Sequence, residues 1–199
     1  MPIEVDEARR LDEIAAATIE VARERGVRSV TIRAVAERLG GSTAMITNYL
    51  SNRSDLMLNA LRRAEEDWTK DLEGELDGVP ERDRLSVAAR WMCTTERDDE
   101  VLRRLRMEIA SAGSSAGSAI EEDRRTTSRR SHEELAALAE EAGVGDPELS
   151  ADVLHLLFRG YWLSTLEDPE VWSTERGTEA ALAVIDLLRG RPAGAPDEA

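Results

Sequence analysis

Between Ser42 and Ser51 the chain reads STAMITNYLS, a run of hydroxyls, one carboxamide and one phenol among apolar residues, with no charged side chain. These groups contain no nucleophile–base pair and no set of metal ligands. They do hydrogen-bond well to base edges and phosphate oxygens. Thr43, Ala44 and Thr47 are candidates for base edges, because a threonine hydroxyl can pair there and a methyl group fits the thymine methyl. Thr31, Ser42, Tyr49 and Arg53 are candidates for phosphate, which suits hydroxyls, helix N-terminal amides and positive charge. Asn48 can also donate to a phosphate. No Arg or Lys lies in this stretch, so a bidentate arginine–guanine contact cannot come from it, and Arg28, Arg33 and Arg38 are left to position the chain. Plainer roles exist beside these. Thr31 and Ser42 would cap helices in any protein, Arg33 has Glu37 one turn away, and Tyr49 can pack its ring inward.

The elements that must hold these groups are helices. Helix-forming Ala, Leu, Arg and Glu dominate, aromatics are 4% of 199 residues, and strand-like alternation is nearly absent. The expected fold is all-α, with about nine helices. Ile14, Ala17, Thr18, Val21 and Ala22 form an amphipathic stripe on a first helix from about Asp6 to Arg25, capped by Asp6 and ended by Gly26. Thr31 starts a short second helix, Ile32–Leu39, with Ile32, Val35, Ala36 and Leu39 inward. Gly40-Gly41 makes a turn. A third helix of about two turns follows Ser42, with Ile46 and Leu50 inward and Thr43, Ala44, Thr47 and Asn48 outward. A fourth starts at Asn52, whose spacing to Asp55 is close to a capping box. Two short helices across a glycine turn, braced by longer ones, make a helix-turn-helix unit, and a major groove accepts such a helix face.

The expected domains are a helix-turn-helix DNA-binding unit over 1–52, a second helical domain over 53–190, and a flexible tail over 191–199. Helices are expected over Asp83–Thr95, Asp99–Ala112, Ala119–Ala142, Glu148–Leu166 and Thr174–Leu188, with a mobile Ser/Gly/Ala loop at Ser111–Ala119. The last two helices are apolar nearly all round, so a second copy of the chain is expected to cover Leu154, Phe158, Tyr161, Leu182 and Ile185. Trp68, Trp91, Met92, Cys93, Met107, Phe158 and Trp162 could line a ligand cavity, although such residues at helical spacing are more often plain core.

The formal net charge of −15 argues against nucleic acid until it is divided. Residues 1–60 hold 8 basic and 9 acidic residues, and the window Arg28–Arg63 holds six arginines against two acids. The acid lies in the rest of the chain, and the local field governs phosphate contact. One cysteine excludes an intramolecular disulfide. No apolar run is long enough to cross a membrane and no signal segment opens the chain, so a cytoplasmic location is expected. Catalysis is not expected. Asp152-Val-Leu-His155 only distantly approximates the Glu-x-x-His of di-metal bundles, His132 has no such partner, and no phosphate loop, metal-ligand spacing or nucleophile elbow occurs. No cofactor or metal is expected. A helical dimer scaffold that does not bind DNA is the competing reading.

The stretch VTIRAVAERLGGSTAMITNYLSNRSDL (Val30–Leu56) resembles the DNA-binding domain of the TetR family of transcriptional regulators. It carries the T-x-R-x-[IV]-A opening at Thr31, Arg33, Val35 and Ala36, the glycine turn, Ser42, Tyr49 and the polar-basic Asn52-Arg53. Phe158–Leu188 is similar to the last two helices of the BetI-like branch. The resemblance implies a homodimer on palindromic double-stranded DNA, with residues 53–190 as the effector-binding and dimerisation domain, a repressor more than an activator, released by a small-molecule effector. The sequence departs from the family pattern at Gly41, Thr47-Asn48, Leu50 and Ser51, where a hydrophobic residue, an aromatic followed by His, Phe and Pro are usual.

Overall fold

The computed structural model describes residues 2–94, 97–111 and 118–190. These are helical, with no strand among them: α1 (Pro2–Arg25), a 3-10 turn (Val27–Ser29), α2 (Ile32–Arg38), α3 (Thr43–Thr47), α4 (Arg53–Leu76), α5 (Glu81–Met92), α6 (Arg97–Ser111), α7 (Ser118–Glu141), α8 (Pro147–Glu167) and α9 (Thr174–Arg189). The expected all-α fold is therefore present. Most bounds fall within three residues of the expected ones. α1 is the exception, since it starts at Pro2 and leaves Asp6 inside the helix instead of capping it. The expected tail at 191–199, and residues 112–117 of the expected loop, lie outside the described residues.

The chain divides into two compact units, Met1–Thr69 with Glu96–Asp123, and Lys70–Thr95 with Arg124–Ala199. The first division falls within α4, well past the expected boundary at residue 52. The reason is in the core of the first unit. Ile14 and Val21 of α1, Val35 of α2, Ile46 of α3, and Leu56, Met57 and Ala60 of α4 are all buried, and Leu102, Leu105 and Ile109 of α6 join the same cluster. Burying each such side chain is worth about 1.5–3 kcal/mol, so α6 is part of what holds the helix-turn-helix together.

In the second unit, Leu85 of α5 and Cys93 at its C-cap, Leu135 and Ala139 of α7, Leu154, Phe158 and Tyr161 of α8, and Ala181 and Ile185 of α9 form one core. α8 starts as the sequence says it should. Asp146 accepts a hydrogen bond from the Leu149 amide (3.1 Å), and Pro147 occupies the first turn, where a missing N–H costs nothing. Ser173 caps α9 by accepting from the Arg176 amide. Gly177 sits against the Tyr161 ring so closely that a Cβ there would collide with it. The Tyr161 hydroxyl donates to the Cys93 carbonyl at 2.9 Å. The Trp162 indole N–H donates to the Met92 carbonyl at 3.0 Å.

Candidate nucleic-acid interface

The short helices are set by local hydrogen bonds. Thr31 accepts from the Ala34 amide at 3.1 Å, capping α2. Gly40 takes φ +66°, a left-handed conformation that favours glycine, and lets the Gly41 amide reach back to the Ala36 carbonyl at 2.9 Å. Gly41 has a different role. A Cβ there would meet the end of the Met45 side chain, so Met45 lies over the place where the related pattern has a hydrophobic residue. Ser42 stands at the N-cap of α3 in extended backbone, but its hydroxyl makes no capping bond.

α3 is one turn and a half, shorter than expected: the Tyr49 amide tightens onto the Ile46 carbonyl at 2.9 Å, three residues back, and the Ser51 amide leaves the helix for the Asp55 carboxylate at 2.9 Å. The Asn52 carboxamide oxygen accepts from the Asp55 amide and its N–H donates to the Asp55 carboxylate, both at 3.0 Å, closing the expected cap of α4. The faces of α3 are as the sequence implies. Ile46 is buried and Leu50 half-buried, whereas Ser42, Thr43, Ala44, Thr47 and Asn48 are exposed. Tyr49 is exposed too, at 36%.

The arginines separate into free and committed groups. Arg28 and Arg33 are exposed, and the Glu37 carboxylate pairs with Arg25 at 3.9 Å and not with Arg33. Arg38 is committed to α1: its Nε donates to Glu20 at 2.7 Å and Nη1 to Glu24 at 2.9 Å. The hydrogen bond and charge of Glu20 push its pKa further up. Arg53 departs most from the expectation of a phosphate contact. Its Nε donates to the Val30 carbonyl at 2.9 Å, Nη2 to the Val27 carbonyl at 3.0 Å and Nη1 to Glu108 of α6 at 3.1 Å. Three of its five N–H groups hold the 3-10 turn and α6 against the start of α4. Sequence reading missed this because the partners lie 23, 26 and 55 positions away.

The expected dimer residues need correction. Leu154, Phe158, Tyr161 and Ile185 are 0–5% exposed inside the second unit, and Leu182 packs half-buried on the same core. They face their own chain. The outward stripes are different residues: Leu156 and Leu163 on α8 are 70% and 40% exposed, and Leu187 on α9 is 76% exposed. Gly160 lies in the first stripe with open space above it, and Ala180 and Ala183 are exposed beside Leu187. The 3.6-residue period does not separate the two stripes of α8, because both are apolar.

The seven expected effector residues do not form one group. Trp68 and Met107 belong to the first unit, where Arg106 lies over the Trp68 ring at 5.8 Å and Met107 is 44% exposed. Trp91, Met92, Cys93, Phe158 and Trp162 belong to the second unit, where Cys93 and Phe158 are core. Burial pushes the Cys93 thiol up to about 11. A shallow, open depression of about 360 Å³ lies elsewhere in that unit, lined by Ser128, Arg129, His132, Glu133 and His155. His132 is 2.9 Å from Asp152, and Arg159 donates to His155 at 3.0 Å. Among the described residues no three His, Cys, Asp or Glu side chains are placed to hold a metal ion. No described helix is long and apolar enough to cross a membrane.

No protein-family model matches the chain, and no curated protein is similar to it in sequence. Solved structures are similar in fold. A TetR transcription regulator from Haloarcula marismortui superposes with a TM-score of 0.79 at 20% identity, over 91% of this chain and 98% of that one. A transcriptional regulator from Rhodococcus sp. Rha1 gives 0.76 at 22% identity, over 94% and 99%. A regulator from Saccharomonospora viridis, solved in complex with choline, gives 0.75 at 21% identity, over 90% and 96%. The chain has the fold of the TetR-type transcriptional regulators, over nearly its whole length.

Proposed function

We propose that this chain is a homodimeric, sequence-specific DNA-binding regulator of transcription, a repressor released by a small-molecule effector and acting in the cytoplasm. The observation that carries the reading is the outward face of α3. Thr43, Ala44, Thr47 and Asn48 are exposed, uncharged and small on a helix whose other side is locked into the core by Ile46. Around it, Thr31, Ser42, Tyr49, Arg28 and Arg33 supply exposed hydroxyls and free guanidinium groups for phosphates. Arg53 serves by holding the turn and α4 in place. The solvent-facing stripes of α8 and α9, with Leu156, Leu163 and Leu187, supply the dimer contact. In a two-fold dimer the two α3 helices would enter successive major grooves about 34–36 Å apart. The effector step comes from the fold. A ligand that binds one spacing of those helices better than another shifts affinity by about 1–3 kcal/mol.

The test is fluorescence anisotropy on DNA flanking the protein's own gene, across a salt series with excess random DNA. Saturable binding that survives the competitor, with log K falling steeply against log salt, is expected. Absence of binding at low salt, for a chain that sediments as a dimer, would leave the scaffold reading in its place.

A further inference from the structure

Resting on the DNA-binding reading above, we infer that the α3 face reads thymine methyl groups and one adenine, so that α3's own share of the operator half-site is A·T pairs and holds no guanine fork. The composition of the face comes first. From Gly40 to Asn52 the chain has no Lys, Arg, Gln, Glu or Asp. The bidentate guanine contact needs a long cationic side chain, and the cytosine contact needs a carboxylate. Neither is available on this helix.

Two of the neighbouring cations are already committed within the chain. Arg38 is held by Glu20 and Glu24, and Arg53 by the Val27 and Val30 carbonyls and Glu108. Arg28 and Arg33 are exposed and lie outside α3, so a guanine contact in the operator falls to them and not to the α3 face.

What the face does offer is apolar and amide chemistry. Thr43 and Ala44 are exposed on the first turn of α3, and Thr47 and Asn48 one turn later. The Thr47 hydroxyl lies 3.5 Å from the Ala44 carbonyl, at the long limit of a hydrogen bond, and the side chain is exposed with a methyl available for apolar contact. Ala44 has only a methyl. The Asn48 backbone is bonded to Ala44 and Ile46, but its carboxamide stands exposed with its donor and acceptor uncommitted. A carboxamide pairs in bidentate fashion with adenine, donating to N7 and accepting from the N6 amine, while methyl groups pack on the thymine C5-methyl.

The experiment starts with selection of a bound site from a random duplex library by the full-length protein. The selected site is then remade with deoxyuridine for each thymine, 7-deazaadenine for each adenine and 7-deazaguanine for each guanine. Each deoxyuridine at a contacted position removes one methyl and is expected to weaken binding about fourfold. One 7-deazaadenine should weaken it about five- to a hundredfold, and that sensitivity should vanish in Asn48→Ala. Any sensitivity to 7-deazaguanine should disappear in the Arg28→Ala, Arg33→Ala double variant. An enriched site that is sensitive to 7-deazaguanine and indifferent to deoxyuridine would overturn the inference and leave the regulator intact. A library that yields no enriched sequence would overturn both.

Discussion

α3 and the α8–α9 pair both turn outward residues that their own cores do not use, and the two sets have little in common. α3 offers two threonines, an alanine and an asparagine. α8 and α9 offer Leu156 and Leu187, each at least 70% exposed, with Leu163 beside them. Small hydroxyls and amides stay well hydrated and exchange water for other polar groups at little net change. A leucine held in water gives up roughly 1.5–3 kcal/mol until something covers it. One face is therefore built for a contact that forms and dissolves, the other for a contact that persists. The two functions of the proposed regulator are separated along the chain by their solvation alone.

The largest effects should show which apolar residues belong to the core. Phe158→Ala is expected to cost about 3–5 kcal/mol in urea unfolding, because it empties a site 1% exposed. Leu156→Ala should cost under about 0.5 kcal/mol in the same assay, at low protein concentration where association does not contribute. Similar losses for both would erase the distinction between inner and outer stripes. The double variant Leu156→Glu, Leu187→Glu puts carboxylates on the outer stripes. It should weaken self-association at least about a hundredfold in sedimentation, with helical content unchanged. An unaltered dimer would move the interface elsewhere.

Arg53→Ala should cost about 1–3 kcal/mol in unfolding, since it strands two backbone carbonyls and Glu108. Arg53→Lys should not restore it, because one ammonium cannot span three acceptors. Loss of DNA affinity with full stability would return Arg53 to the DNA surface. Cys93 gives the smallest effect. Its thiol is raised from 9.0 to about 11 by burial, so the folded state holds the proton more tightly than the unfolded chain. Its contribution to stability is complete below pH 9 and drains away as pH rises toward 11. In the native protein, reaction with a disulfide reagent at pH 8 should be slow and should accelerate sharply on unfolding.

The sequence made one face far easier to read than the other. α3 alternates polar and apolar sides within a few residues, and Gly40 and Ser42 mark its start, so Ile46 inward and Thr47 outward follow from period alone. α8 is apolar on both sides, and period cannot then tell the core from the exposed stripe. The glycines hold a finer signal: Gly177 is small because the Tyr161 ring lies on it, whereas Gly160 faces open space. That difference emerges only when α9 is laid against α8. Arg53 shows the same limit, since a basic residue at a helix start reads equally well as a phosphate contact or as a clamp. Its carbonyl partners are invisible in composition.

The first unit is discontinuous, and this has a consequence for how the protein is made. Its core needs Leu102, Leu105 and Ile109, but α5 and the rest of the intervening segment must be synthesised before they appear. At about 5–20 residues per second the forty-odd residues between Thr69 and Ser111 delay closure by roughly 2–8 seconds. Throughout that interval the faces of α1 and α4 that α6 will cover stand open on the nascent chain. A ribosome stalled in α5 should therefore carry a helix-turn-helix that a protease still cuts, and one stalled well beyond α6 should carry a resistant one.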